Sequence, residues 1–103
     1  MHIRPHFIAL LTYAKSEDGG LKIPAMSGYR PKIRFPFHNG EFSAIQNFID
    51  VENVFPGDTV SAEVTLVDPA NSLEKLYEGL DFDFFHNDEL IGHGTITKML
   101  PPD

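Results

Sequence analysis

Between Thr59 and Asp68 the chain reads TVSAEVTLVD, which puts Val60, Ala62, Val64 and Leu66 on one side of an extended backbone and Ser61, Glu63 and Thr65 on the other. Successive side chains of a strand point to opposite faces, so this period of two predicts a strand half-buried against a core. Leu80 to Phe84 repeats the pattern, with Leu80, Phe82 and Phe84 inward and Asp81 and Asp83 outward. Four more strands are expected between turn signals, at Phe7 to Ala14, Pro31 to Phe37, Glu41 to Ile49 and Leu90 to Leu100. The signals are Ser16-Glu17-Asp18-Gly19-Gly20, His38-Asn39-Gly40, Phe55-Pro56-Gly57-Asp58 and His86-Asn87-Asp88-Glu89. In the third, Pro at the second position and Gly at the third fit a type II turn, because Pro fixes a negative φ and Gly accepts the positive φ that follows. Only Asn71 to Glu78 reads as helical, about two turns. Six strands, short turns and little helix predict an all-β antiparallel barrel or sandwich.

Size and charge narrow the picture. A chain of 103 residues is expected to form one domain over 1–103, with the end from Pro101 loose. There is no cysteine, which removes disulfides, thiolate nucleophiles and Cys-based zinc sites. Residues 1–40 carry six cations against two acids and residues 41–103 two against thirteen, so +4 is followed by −11 in a chain of net charge −7. Most of this surface repels a polyanion; only the first third tolerates one. No run approaches the roughly 20 apolar residues that span a bilayer. Phe7 to Leu11 is too short for a secretion signal and is soon followed by Lys15, Glu17 and Asp18, so a cytoplasmic location and no membrane partner are expected.

Catalytic motifs are sparse. GxxxxGK[ST], GxGxxG and GxSxG are absent, which argues against nucleotide hydrolysis by this chain alone. Asp81 and Asp83 share one strand face and read first as a solvated acidic face; with His86 or His93 they offer a remote hydrolase alternative. The histidines lack metal-ligand spacing, although His86 and His93 could face each other across the last hairpin; no metal or cofactor is expected. The stretch GYRPKIRF is different. Arg30, Lys32 and Arg34 alternate, so all three cations project to one side while Tyr29, Ile33 and Phe35 project to the other. Such a ridge either pairs with outward acids such as Glu63 or Asp81 or, together with Lys22, meets RNA or an acidic partner.

The order Gly19-Gly20, Pro24, Gly28-Tyr29-Arg30-Pro31, Phe55-Pro56-Gly57-Asp58, Val64-Thr65-Leu66-Val67-x-Pro69, Gly79-Leu80-x-Phe82 and Gly92-x-Gly94 with Lys98 resembles the C-terminal barrel domain of elongation factor Tu and related translation factors. The resemblance covers about residues 5–100. It implies a six-stranded antiparallel β-barrel that, in the intact factors, packs on a second barrel, contacts a GTPase domain and helps to hold the T-arm of aminoacyl-tRNA. Neither the GTPase domain nor the second barrel is in this sequence, so a GTPase chain acting in trans is a candidate partner.

Departures from the family pattern bear on function. The first loop reads Gly19-Gly20-Leu21-Lys22-Ile23-Pro24 where bacterial factors typically read Gly-Gly-Arg-His-Thr-Pro, and Asp81, Phe85 and Glu89 stand where the family commonly has arginines. Acids in place of cations repel a phosphate backbone, which weakens a tRNA role. In the first strand Ile8 and Leu10 alternate with Phe7, Ala9 and Leu11, leaving an apolar outward face where the family usually shows charge. The expectation is a non-catalytic module that binds a protein partner or itself through Ile8 and Leu10, with RNA binding through Lys22, Arg30, Lys32 and Arg34 as the alternative.

Overall fold

A computed structural model describes residues 4–37, 40–69 and 72–101. The strands are β1 (Phe7–Tyr13), β2 (Ala25–Met26), β3 (Lys32–Arg34), β4 (Phe42–Phe48), β5 (Asn53–Val54), β6 (Thr59–Leu66), β7 (Asp81–His86) and β8 (Glu89–Met99). Six of them close into a barrel in the order β1-β6-β4-β3-β7-β8, every pairing antiparallel, while β2 and β5 form a separate two-stranded ribbon. No helix among the described residues is long and apolar enough to cross a membrane.

The six barrel strands match the expected segments with shifted ends. Pro31 and Pro36 flank β3, and because proline cannot donate to a ladder the strand contracts to Lys32–Arg34. Helix formation near residues 71–78 reduces to a 3-10 turn at Ser72–Lys75, too short for two α-turns between Pro69 and Gly79; Asn71 lies outside the described residues, as do His38 and Asn39 of one expected turn. The last hairpin turns on Asn87 and Asp88, whose φ values of 50° and 66° make a two-residue turn of the type that matches strand twist. Gly57 at φ 92°, with Asp58 N–H donating to Phe55 O at 3.0 Å, completes the expected turn after Pro56. Thr65, expected outward among polar neighbours, is instead buried at 4% exposure.

Aromatic rings fill the barrel. Phe7 and Phe35 meet Phe82 with centroids 5.8 and 5.6 Å apart, and Tyr13 meets Phe84 at 4.9 Å and Phe48 at 6.1 Å. These rings need room, and β8 supplies it with glycine. Phe82 is in register with Gly94 and Phe84 with Gly92; a Cβ on Gly94 would lie 2.6 Å from the Phe82 ring, and one on Gly92 2.7 Å from the backbone oxygen of Thr12. The Gly-x-Gly spacing is therefore a packing requirement of the facing Phe-x-Phe. One polar pair interrupts the apolar interior: the Tyr13 hydroxyl donates to Gln46 Oε1, both residues being buried, and burial pushes the Tyr13 phenol above its ordinary pKa.

His6 fastens the start of β1 to both neighbours. Its N–H donates to Val64 O at 2.8 Å, its carbonyl accepts from Leu100 N–H at 3.1 Å, and its Nδ1 accepts from Leu66 N–H at 2.9 Å. The last contact requires an unprotonated Nδ1, and burial lowers the His6 pKa below 6.5.

Two predictions follow from this packing. Gly94→Ala should destabilise the fold by about 1–3 kcal/mol, the usual cost of overpacking a filled core; urea unfolding followed by circular dichroism measures it. Because the His6 pKa is depressed in the folded state, its contribution is present above the unfolded value and lost as pH falls through the folded one. Stability measured from pH 7 to 4 should decline less steeply for His6→Gln than for the parent; parallel curves would refute the clasp.

Candidate functional site

With the interior occupied by side chains, ligand-sized space lies outside the sheet. Among the described residues, one such space lies where the β2–β5 ribbon meets the β7–β8 hairpin. Ala25 and Val54 pair across the ribbon and point inward, at 4% and 2% exposure, joining the core. Alternation then turns their neighbours outward: Met26 and Asn53 are paired and exposed, and Phe55 follows Val54 into solvent.

The chain holds this ribbon firmly. Tyr13 N–H donates to Asp58 O at 2.9 Å and Gly57 N–H to Tyr13 O at 3.0 Å, which ties the 55–58 turn to the end of β1. Ser16 Oγ donates to Leu21 O at 2.7 Å and anchors the first loop. Residues 26–29 turn tightly, with Tyr29 N–H donating to Met26 O at 3.0 Å, and are clamped on β4 through Gly28 N–H to Gln46 O and Gln46 N–H to Tyr29 O, both 2.8 Å. Ser27 Oγ accepts from Phe48 N–H at 3.0 Å. The Gly28-Tyr29-Arg30-Pro31 stretch thus joins the ribbon to the barrel wall.

Two hollows flank the ribbon. A groove of about 500 Å³ runs between it and the last hairpin, with Ile23, Met26 and Ile91 as apolar walls and Tyr29, His86 and Glu89 as polar groups. The Tyr29 hydroxyl and His86 Nδ1 share a hydrogen bond of 3.1 Å, and partial burial pushes the Tyr29 phenol up to about 12. On the other side a shallower hollow is lined by Lys15, Glu17, Phe55 and Asp58. Lys22 and Pro24 border both hollows, so the segment 22–26 and the ribbon stand as a ridge between them. Apolar walls with a few convergent polar groups suit a binding role.

The residues singled out in the sequence are dispersed over other surfaces. Ile8 and Leu10 do share the outward face of β1, but Ile8 is half-buried between Lys98 and Glu63, and Leu10, 44% exposed, stands between Thr95 and Ser61. Arg30, Lys32 and Arg34 are all exposed, as their alternation requires. Lys22 belongs to the ridge instead. The ridge of cations does not pair with Glu63 or Asp81: Arg34 bonds Glu41 at 3.0 Å and lies 4.7 Å from the centre of the Phe85 ring, and Lys32 donates to Ser43 Oγ at 2.8 Å. Strand order explains this, since β6, carrying Glu63, is not a neighbour of β3, and register sets Arg34 opposite Asp83. Asp81 instead accepts from Thr95 Oγ1 at 2.6 Å. His86 and His93 do not face each other either: the two-residue turn at Asn87-Asp88 pairs His86 with Glu89, and His93 stands opposite Asp83. No cluster of three or more potential metal ligands occurs among the described residues.

Sequence reasoning missed the ridge. Two-residue strands carry no readable period; the available signal was a pair of exposed-type apolar residues, Ile23 and Met26, beside a turn rich in Gly and Pro. Compared with models of known protein families, the chain matches none.

Tyr29 should remain a neutral phenol until about pH 12, as its raised pKa requires. For an acid raised above its unfolded value, the associated stability is present below the unfolded pKa and lost as pH climbs through the folded one. Ultraviolet titration of the parent against Tyr29→Phe isolates this step; a Tyr29 transition near 10 would show that the groove floor is open to water.

Proposed function

We propose that this chain is a non-catalytic β-barrel binding module, related to the C-terminal barrel of elongation factor Tu, that works by holding a protein partner on the β2–β5 ridge. One observation carries the reading: of the eight large apolar side chains exposed among the described residues, Ile23, Met26, Val51 and Phe55 belong to the ridge or its immediate flanks. Exposed apolar groups scattered singly need no explanation, whereas clustered ones mark contact surfaces. The ordered series of Gly, Pro and aromatic motifs supports the family relation, and the setting it suggests is the cytoplasmic translation apparatus.

RNA binding through the basic strand has less support. Arg34 is already engaged by Glu41, and Lys22 lies on a different element from Lys32 and Arg34. Capture experiments from lysate with the tagged chain, with and without ribonuclease, separate the alternatives. A ribonuclease-resistant partner is expected, retained by Ile8→Ser/Leu10→Ser and reduced at least severalfold by Met26→Ser/Phe55→Ser. Retention by the second variant with loss by the first would move the contact to β1; ribonuclease-sensitive capture lost on Arg30→Glu/Lys32→Glu would favour RNA.

A further inference from the structure

The charges around the ridge specify what kind of partner it fits. Glu17 and Asp58 border the shallow hollow and Glu89 the groove, while Asp50 and Glu52 flank Val51 at the far end of the ribbon, where Glu52 O accepts from Ser27 N–H at 2.8 Å. Glu17, Asp58 and Glu89 line the hollows against Lys15 and Lys22, and Asp50 and Glu52 add carboxylates beside Val51, so acids outnumber cations about the apolar strip. All seven residues are exposed. Arg30 alternates to the other side of the chain from Tyr29, which lines the groove.

We propose that the ridge receives a basic amphipathic helix of a partner protein, its apolar face lying over Met26 and Phe55 and its lysines or arginines facing the surrounding carboxylates. This rests on the binding-module reading above and adds the partner's chemistry. Three features select that occupant. Strand addition is poorly served, because each ribbon strand is two residues long and Pro24, just before β2, lacks an N–H. A second copy would bring two acidic rims and two chains of net charge −7 together, a like-charge contact. Nucleic acid is repelled by the same rim. An apolar helix face framed by cations satisfies both the exposed strip and its charge, in the groove-binding mode where side chains rather than backbone make the contacts.

The test uses the whole chain and a fluorescein-labelled synthetic helix of about 18 residues, five turns long, with leucine on one face and lysine on the other. Fluorescence anisotropy should show binding that weakens as salt rises. The same peptide with glutamate for lysine should bind at least roughly tenfold more weakly, a difference of about 1.4 kcal/mol. Asp50→Asn/Glu52→Gln should weaken the lysine peptide severalfold, and Met26→Ser/Phe55→Ser by roughly tenfold or more. Circular dichroism verifies that the variants fold, and the single Met26→Ser serves if the double variant does not. Equal binding of the two peptides, or indifference to the charge variant, overturns the proposal. If lysate capture of a partner is lost in Met26→Ser/Phe55→Ser yet unaffected by Asp50→Asn/Glu52→Gln, the binding-module reading stands and this one falls. If the ridge variants change neither measurement, both fall. Concentration-dependent dimerisation that Met26→Ser/Phe55→Ser removes, with no peptide binding, would assign the ridge to a second copy.

Discussion

Barrel closure depends on fitting aromatic rings inside a ring of six strands, and the fit depends on two glycines. Phe82 and Phe84 occupy the space that side chains at Gly94 and Gly92 would take, directly across the β7–β8 ladder. With those positions empty, β8 can approach β7 on one side and β1 on the other, and its residues 92–95 pair with both. Closure removes the open edges that a sheet of this composition would otherwise expose to aggregation. It also produces a solid centre, which the buried Tyr13–Gln46 pair interrupts with polar atoms.

A filled interior leaves the outer surface as the place where any ligand would meet the barrel. On most of the barrel wall the outward positions are polar or isolated, as Leu10 is between Thr95 and Ser61. The ribbon differs because its strands face the core with only Ala25 and Val54, small or medium side chains that fit over the end of the packed rings. Its other face is left to Met26, Asn53 and Phe55. An element with two faces but one core has an apolar surplus, and that surplus faces solvent.

Charge separates this surface from the basic strand. The cationic strand that stands out in an acidic chain is partly neutralised locally: Arg34 meets Glu41, the residue before β4, and stacks near Phe85. Exposed ion pairs of this kind contribute little to stability, on the order of 0–1 kcal/mol. Their effect here is to reduce the free charge available to a phosphate backbone. Around the ribbon the balance is reversed, with carboxylates predominating over Lys15 and Lys22.

The six barrel strands are legible in the amino-acid sequence, because alternation in TVSAEVTLVD and LDFDFF depends only on the local geometry of an extended chain. The sequence also sets the Pro56-Gly57 and Asn87-Asp88 turns, whose backbone angles follow from residue type. Strand order was beyond its reach, and with it the partners of the basic strand: Glu41 rather than Glu63 or Asp81 depends on which strands become neighbours when the sheet closes. The ridge was least legible of all. Residues 23–26 and 51–55 are far apart in the chain, each too short for a period to show, and their apolar side chains become a surface only when Ala25 and Val54 pair and turn inward.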